Sequence, residues 1–293
     1  MSRLSGFGKS VALRGYPAPS AIDPEDALLH RHCWDPPAGV DVKSQGIYLL
    51  HGIGEHGARY ERLATRLASR GYRVASHDHS GHGQSSGPRG VADPPELLVT
   101  EAEEELERFS AACGSPPYLF GHSLGGVVAM ALVLSQRVPI AGLLLSAPAI
   151  VPRLSATDRL KLQVMSILAP TLALELPYDA SQLTHDDEEI ASAEGDELIH
   201  GFKSAGLVGW LMATAQEALE RGGEIDVATL LLVAGSDLLI DTDQTMAFAE
   251  RIPSTLLTLH RYDGFRHELL NETPDRRTRV MVDIENWLER VPD

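Results

Sequence analysis

Residues 118–126 read Tyr118-Leu119-Phe120-Gly121-His122-Ser123-Leu124-Gly125-Gly126, and the apolar run LGGVVAMALVLS occupies Leu124 to Ser135. A short buried strand, a G-x-S-x-G turn and a helix apolar almost all round therefore follow one another without a gap. In that context the motif presents a nucleophile. The serine sits on a sharp turn, and the small flanking residues let the neighbouring strand and helix close in. Its hydroxyl then projects at the positive N-terminal end of the helix. The backbone N–H of Leu124 is placed to hold a developing oxyanion. His122 is adjacent in sequence, so its side chain points away from that of Ser123 and packs beneath the turn.

Outward from this turn the same alternation repeats. Gly46 to Leu50 (GIYLL), Tyr72 to Ser76 (YRVAS) and Ala141 to Ser146 (AGLLLS) read as strands, and Tyr60 to Ser69 and Pro95 to Ala112 as helices. Fully apolar strands separated by helices predict an α/β fold, a mostly parallel central sheet flanked by helices. From about Ala149 to Gly223 the pattern is helical with no convincing strand. The alternation resumes with a strand at Thr229 to Ala234, a helix at Thr242 to Arg251, a strand at Thr255 to His260 and a helix at Asp275 to Arg290. The expected organisation is thus a core over 1–148 and 224–293, with a helical cap over 149–223 at the carboxyl ends of the strands, where open α/β sheets bind ligands. The segment up to about Pro37 is expected to add one or two antiparallel edge strands.

A serine hydroxyl needs a histidine base oriented by a carboxylate, and with this turn the chain order is Ser, acid, His. TLLLVAGSD delivers Asp237 just after a late strand. Asp241 and Asp243 compete, but they fit the start of the next helix, where acidic groups favour the dipole. Of the two histidines beyond Asp237, His260 ends a strand pattern, whereas His267 lies in the Gly-containing loop DGFRHE. His267 is the expected base. The loop His51-Gly52-Ile53-Gly54-Glu55-His56-Gly57 follows an early strand, and its glycines let the backbone turn an N–H toward the site. The second oxyanion donor is assigned to Ile53.

These stretches resemble the monoacylglycerol lipase and lysophospholipase group of α/β-hydrolases. HGIGEHGARY resembles that group's oxyanion loop, DHSGHGQSSGPRG (Asp78 to Gly90) its D-x-x-G-H-G-x-S-x-G segment, and GHSLGG its nucleophile turn. DGFRHELLNE resembles its histidine loop, and Thr184 to Gly201 its cap. The resemblance implies a triad of Ser123, Asp237 and His267, oxyanion donors at Ile53 and Leu124, no cofactor and no metal. It also implies a carboxylic ester of glycerol, a lysophospholipid or a simple alcohol as substrate. Residues before Gly46 carry little of the match. His77 to Ser80 reads HDHS where a tyrosine or arginine is common, so substrate choice stays open. A carboxylesterase for short-chain or aromatic esters, an acyltransferase and a non-catalytic ligand-binding member of the fold are the alternatives. Epoxide and haloalkane hydrolases would want a carboxylate in place of Ser123.

The remaining features set bounds. The formal net charge of −16 over 293 residues argues against nucleic acid and against electrostatic docking on an anionic membrane. The two cysteines, Cys33 and Cys113, fit a reduced compartment, and the first residues lack the apolar stretch of a secretory signal, so a cytoplasmic location is expected. His77, His79 and His82 have zinc-like spacing, but they follow a strand in a Gly-rich turn that needs no metal. Gly8-Lys9-Ser10 mimics the end of a P-loop without its leading glycine or strand. The cap stretch LKLQVMSILAPTLALEL (Leu160 to Leu176) fits two readings equally: a helix packed on the core, and a lid that lines an acyl channel and makes transient apolar contact with lipid surfaces. On the second reading Leu168, Leu172, Trp210 and Met212 line the substrate pocket. Oligomeric state is not legible.

Overall fold

The computed structural model describes residues 29–176 and 179–291. In chain order the strands and main helices are β1 (Arg31–Trp34), β2 (Ile47–Leu50), α1 (Glu61–Ala68), β3 (Val74–His77), α2 (Leu97–Cys113), β4 (Tyr118–His122), α3 (Leu124–Ser135), β5 (Gly142–Ser146), α4 (Ala156–Leu168), β6 (Ala173–Glu175), α5 (Asp187–Glu194), β7 (Phe202–Ser204), α6 (Ala205–Arg221), β8 (Thr229–Ala234), α7 (Thr242–Ala249), β9 (Leu257–Tyr262) and α8 (Pro274–Leu288). Seven strands form one sheet in the order β1-β3-β2-β4-β5-β8-β9, parallel except for β1, which runs antiparallel to β3. This is the α/β-hydrolase architecture expected from the alternation of elements. Among the described residues β1 supplies the antiparallel edge pairing anticipated for the early chain. Gly8-Lys9-Ser10 lies outside the described residues.

Strand periodicity explains the two layers. Tyr48 and Leu50 of β2 and Leu119 of β4 face one side, where Phe109 of α2, Val127 and Val128 of α3, Leu211 of α6 and Phe248 of α7 complete one core. Ile47, Leu49 and Phe120 face the other side and pack against Leu63 and Leu67 of α1 and Ile284 and Trp287 of α8. Both faces are covered, so the strands carry continuous apolar runs rather than alternating ones. Helix α3 is apolar all round because it lies on the sheet and is flanked by α2 and α6; ten of its twelve residues are buried.

Between β5 and β8 the chain departs from the expected all-helical stretch. β6 and β7 pair antiparallel as a separate two-stranded sheet, Ala173 opposite Ser204 and Glu175 opposite Phe202. Each strand has three residues, too few to display a period of two, which is why the sequence pattern misses them. Helix α6 is not a detached lid, because Leu207, Leu211, Ala215 and Ala218 are buried in the main core. Helix α4, by contrast, buries no residue. Among the described residues no helix is long and apolar enough to cross a membrane.

Candidate active site

Ser123 caps β4 and starts α3 with φ 51° and ψ −115°, a conformation an L-residue adopts only under constraint. Its own backbone supplies the constraint. Ser123 N donates to the Ser146 carbonyl on β5, and its carbonyl accepts from Gly126, Val127 and Ala149. The flanking glycines are sterically required. A Cβ on Gly125 would overlap the carbonyl oxygen of Leu50, and one on Gly121 that of Gly125. The sequence G-x-S-x-G is therefore the condition for a helix to start this close to two strands. His122 packs under the turn as expected, with Nδ1 donating to the Ser146 carbonyl at 2.9 Å. Burial, aided by the charge of His267, pushes its pKa down to about 4, so it is neutral at pH 7.

His267 and Asp237 meet from different strands. The loop after β8 is pinned to the loop after β9 by Gly235 N to the Tyr262 carbonyl and Ser236 N to the Phe265 carbonyl, 2.9 Å each. That pairing sets Asp237 Oδ2 2.7 Å from His267 Nδ1. The other carboxylate oxygen, Oδ1, accepts the N–H groups of Leu239 and Ile240 at 2.8 and 3.0 Å. With Nδ1 donating to a carboxylate, the neutral ring carries its lone pair on Nε2. Burial alone would lower the His267 pKa. The charge and hydrogen bond of Asp237, with the charges of Glu268 and Glu55, outweigh it and hold the pKa above the ordinary value. Burial would raise Asp237, but His267 and the two backbone donors bring it below its ordinary value. No hydrogen bond joins Ser123 Oγ to His267 among the described residues, yet both side chains line one cavity of about 100 Å³. Such contacts commonly tighten only when substrate arrives.

Of the expected oxyanion donors, Ile53 lines the same cavity and Leu124 follows Ser123 as the first residue of α3. Among the described residues neither Ile53 N nor Leu124 N donates to a protein acceptor. The loop holding Ile53 is braced at both ends of Gly52. Glu55 Oε1 accepts Gly52 N at 2.6 Å, and His51 Nδ1 donates to the Gly52 carbonyl at 2.8 Å. His51 Nε2 then accepts His79 N at 2.9 Å, which locks the tautomer and ties this loop to the D-x-x-G-H-G segment. Behind it stands a buried ionic cluster that sequence reasoning missed. Arg59 donates to Glu55 Oε2 at 2.8 Å and to both oxygens of Glu268 at 2.7 Å each, and Tyr60 Oη donates to Glu55 Oε1 at 2.9 Å. Glu55, Arg59 and Glu268 all line the Ser123 cavity. The Glu55–Arg59 spacing of four was a sequence signal, though it reads equally as a solvated helix pair.

Residues 43–274 match the sequence profile of the family described as serine aminopeptidase, S33 (Hydrolase_4). The chain belongs to this family. The S33-family chain is 28% identical over 277 residues to the monoglyceride lipase of Homo sapiens, an alignment covering 93% of this chain and 90% of that protein. It is 28% identical to the monoacylglycerol lipase of Mycolicibacterium smegmatis, covering 87% of this chain and 90% of that protein. The crystal structure of Paleococcus ferrophilus monoacylglycerol lipase superposes with a TM-score of 0.81 at 26% identity, over 89% of this chain and 98% of that one.

Other expected site residues of this S33-family chain fall elsewhere. None of Leu168, Leu172, Trp210 or Met212 lines the Ser123 cavity. Leu168 and Leu172 are exposed, while Trp210 and Met212 pack against the main core, Trp210 beside α2 and α3. The cavity instead receives Lys203 and His200 from the β7 region, a short segment with no periodic pattern to betray it. Asp241 caps α7 by accepting from Asp243 N and Gln244 N, and His260 lies within β9, 3.7 Å from Asp283. The rings of His77, His79 and His82 pack edge to face in sequence, with centroids 5.0 and 6.3 Å apart. Among the described residues the one group with metal-ligand spacing is His30, His32 and Asp78. Asp78 there accepts from His32, Gly57 N and Gln84 N, 2.8 Å each, so its carboxylate is already engaged in holding the loop. Cys33 and Cys113 are both free and half-buried.

Proposed function

We propose that this chain hydrolyses carboxylic esters of the monoacylglycerol type through an acyl-enzyme on Ser123. The observation that carries the reading is the 2.7 Å Asp237–His267 bond, which fixes the tautomer that leaves Nε2 basic beside a strained Ser123 in one cavity. His267 takes the Ser123 proton as the hydroxyl attacks the ester carbonyl. The N–H groups of Ile53 and Leu124 hold the oxyanion. His267 then protonates the leaving alcohol, and water repeats the sequence on the acyl-enzyme. Asp237 orients the ring and stabilises its charged form.

The family's descriptive name is that of a peptidase, whereas the relatives that align over most of this chain are lipases of monoacyl glycerides. That contrast favours esters. Residues 149–223 act as the cap. On α4 and the segment after it Leu160, Ile167, Leu168, Leu172 and Leu174 are 62, 80, 75, 47 and 57% exposed. This apolar face suits transient contact with a lipid surface. The test is a panel of monoacylglycerols, lysophospholipids, graded p-nitrophenyl esters and amino-acid nitroanilides, run on wild type and Ser123→Ala. Ester turnover that vanishes in the variant is the expected result. Retained activity in Ser123→Ala, or cleavage of the nitroanilides alone, overturns the proposal. Failure of a fluorophosphonate to label Ser123 would point to a non-catalytic member of the fold.

A further inference from the structure

Among the described residues the Ser123 cavity holds one cationic side chain without an ion-pair partner. The side chain of Lys203, half-buried on β7, makes no hydrogen bond or ion pair among the described residues. The other charged groups at the cavity are committed. Arg59 is shared between Glu55 and Glu268, and Glu268 also accepts from Asn271 at 2.9 Å. Asp179 is turned onto its own 3₁₀ turn, accepting from Ser181 N at 3.0 Å, Ser181 Oγ at 2.5 Å and Gln182 Nε2 at 3.0 Å. Asp237 belongs to His267. A partly desolvated ammonium without a partner carries a cost. Burial alone lowers its pKa, with no carboxylate offsetting it. The strand itself is held in place, because His200 N donates to the Gly54 carbonyl at 2.9 Å and Ser204 N to the Gly90 carbonyl at 2.9 Å. Lys203 therefore comes into the cavity on a segment bonded to the oxyanion loop.

The cavity's size and lining say which half of an ester it receives. About 100 Å³ is well short of the several hundred that a drug-sized or long-chain ligand occupies, and most of the residues that line it carry polar or charged side chains. It suits the ester group and a compact polar alcohol, with the acyl chain running elsewhere. We propose that Lys203 is a specificity residue that selects esters whose alcohol portion carries a compact anion, a phosphate or a carboxylate, over neutral glycerol esters. This rests on the ester-hydrolase reading of the same cavity. The net charge of −16 repels such substrates at long range, so any preference for them has to come from a local cation.

The test compares kcat/KM for three hexanoyl esters that stay monomeric in water: of glycerol, of glycerol 3-phosphate and of glyceric acid. Enzymes are wild type, Lys203→Met and Lys203→Arg, with thermal melts to verify folding. Wild type should prefer at least one anionic ester by roughly tenfold to a hundredfold, the range of a charge-assisted hydrogen bond. That ratio should collapse toward one in Lys203→Met and survive in part in Lys203→Arg. Preference for the phosphate ester alone, or for the carboxylate ester alone, identifies which anion the site was built for. Should Lys203→Met not fold, inhibition of wild type by glycerol 3-phosphate but not by glycerol carries the same information. An anionic-to-neutral ratio near one in wild type, or an unchanged ratio in folded Lys203→Met, overturns the inference while leaving the hydrolase reading intact. Hydrolysis of none of the esters by wild type overturns both.

Discussion

Replacing Arg59 with methionine tests how much of this site is held by buried charge. The guanidinium makes three short bonds, at 2.8, 2.7 and 2.7 Å, to Glu55 and Glu268, which are only 5 and 6% exposed. Methionine keeps much of the volume and removes the charge, leaving two largely buried carboxylates without their cation. Breaking a buried pair from one side costs about 3–5 kcal/mol, far more than the pair contributes against an apolar isostere. For a chain of this size that is a fall in melting temperature on the order of 10 °C. The pH dependence has a definite sign. Burial raises the Glu268 carboxyl, but the charge and hydrogen bonds of Arg59 bring it well below its ordinary value, so its stabilisation is present above the unfolded pKa and lost as pH falls through the folded one. Without Arg59 the same carboxyl titrates high and its penalty disappears on protonation. The stability gap between wild type and Arg59→Met should therefore be widest near pH 7 and narrow toward pH 4. Adding Glu268→Gln to Arg59→Met should recover part of the loss, because it removes one of the stranded charges. Catalysis should move too. Glu268 and Glu55 already raise His267, and uncovering their charge raises it further, shifting the acid limb of kcat/KM upward. Urea denaturation at pH 7, 5.5 and 4 is the assay. An Arg59→Met protein within about 1 kcal/mol of wild type at pH 7 refutes the account, since an unpaired buried charge cannot be that cheap.

Two further outcomes follow from the same electrostatics. Because the His267 pKa lies above 6.5 and the base must be neutral, the acid limb of kcat/KM should sit above pH 6.5 in wild type. In Asp237→Asn it should move to lower pH while kcat drops on the order of a thousandfold or more, and an unmoved limb in a pH–rate profile would contradict the assignment. Acid should also unfold the protein early: burial pushes His77, His79 and His82 down to about 3 and His122 down to about 4. Depressed histidines bind fewer protons folded than unfolded, so stability falls as pH drops below 6.5, by up to about 1.4 kcal/mol per pH unit for each group. His267, raised rather than lowered, contributes in the opposite sense, but it is one group against these four and His51, which burial also holds well below its ordinary value. Denaturation free energies that stay level between pH 7 and 5 would show that these imidazoles are not neutral and buried.

What the sequence disclosed and what it hid divide along a physical line. The Ser123 turn and the Asp237–His267 pairing were legible because each is forced by backbone geometry that has its own residue code. Gly121 and Gly125 are required wherever a helix begins against a strand carbonyl, and TLLLVA is apolar because β8 is covered on both faces. Asp237 and His267 then fall where strands end, in an order the chain cannot vary. Glu268, Arg59 and Lys203 obey no such code. The Arg59–Glu268 bond spans 209 positions, and each partner alone has the sequence signature of an ordinary surface charge. Lys203 sits on a strand of three residues, below the length at which any period shows. Leu168 and Leu172, expected at the substrate pocket on one of two readings of the cap stretch, are exposed and do not line the Ser123 cavity. Periodicity reports that a segment has an apolar face, not that this face points at the active site. The reaction is therefore written in local motifs, where the backbone leaves little choice. On the proposed reading, substrate preference rests on charges brought together across the fold, with Lys203 at the cavity the one to test.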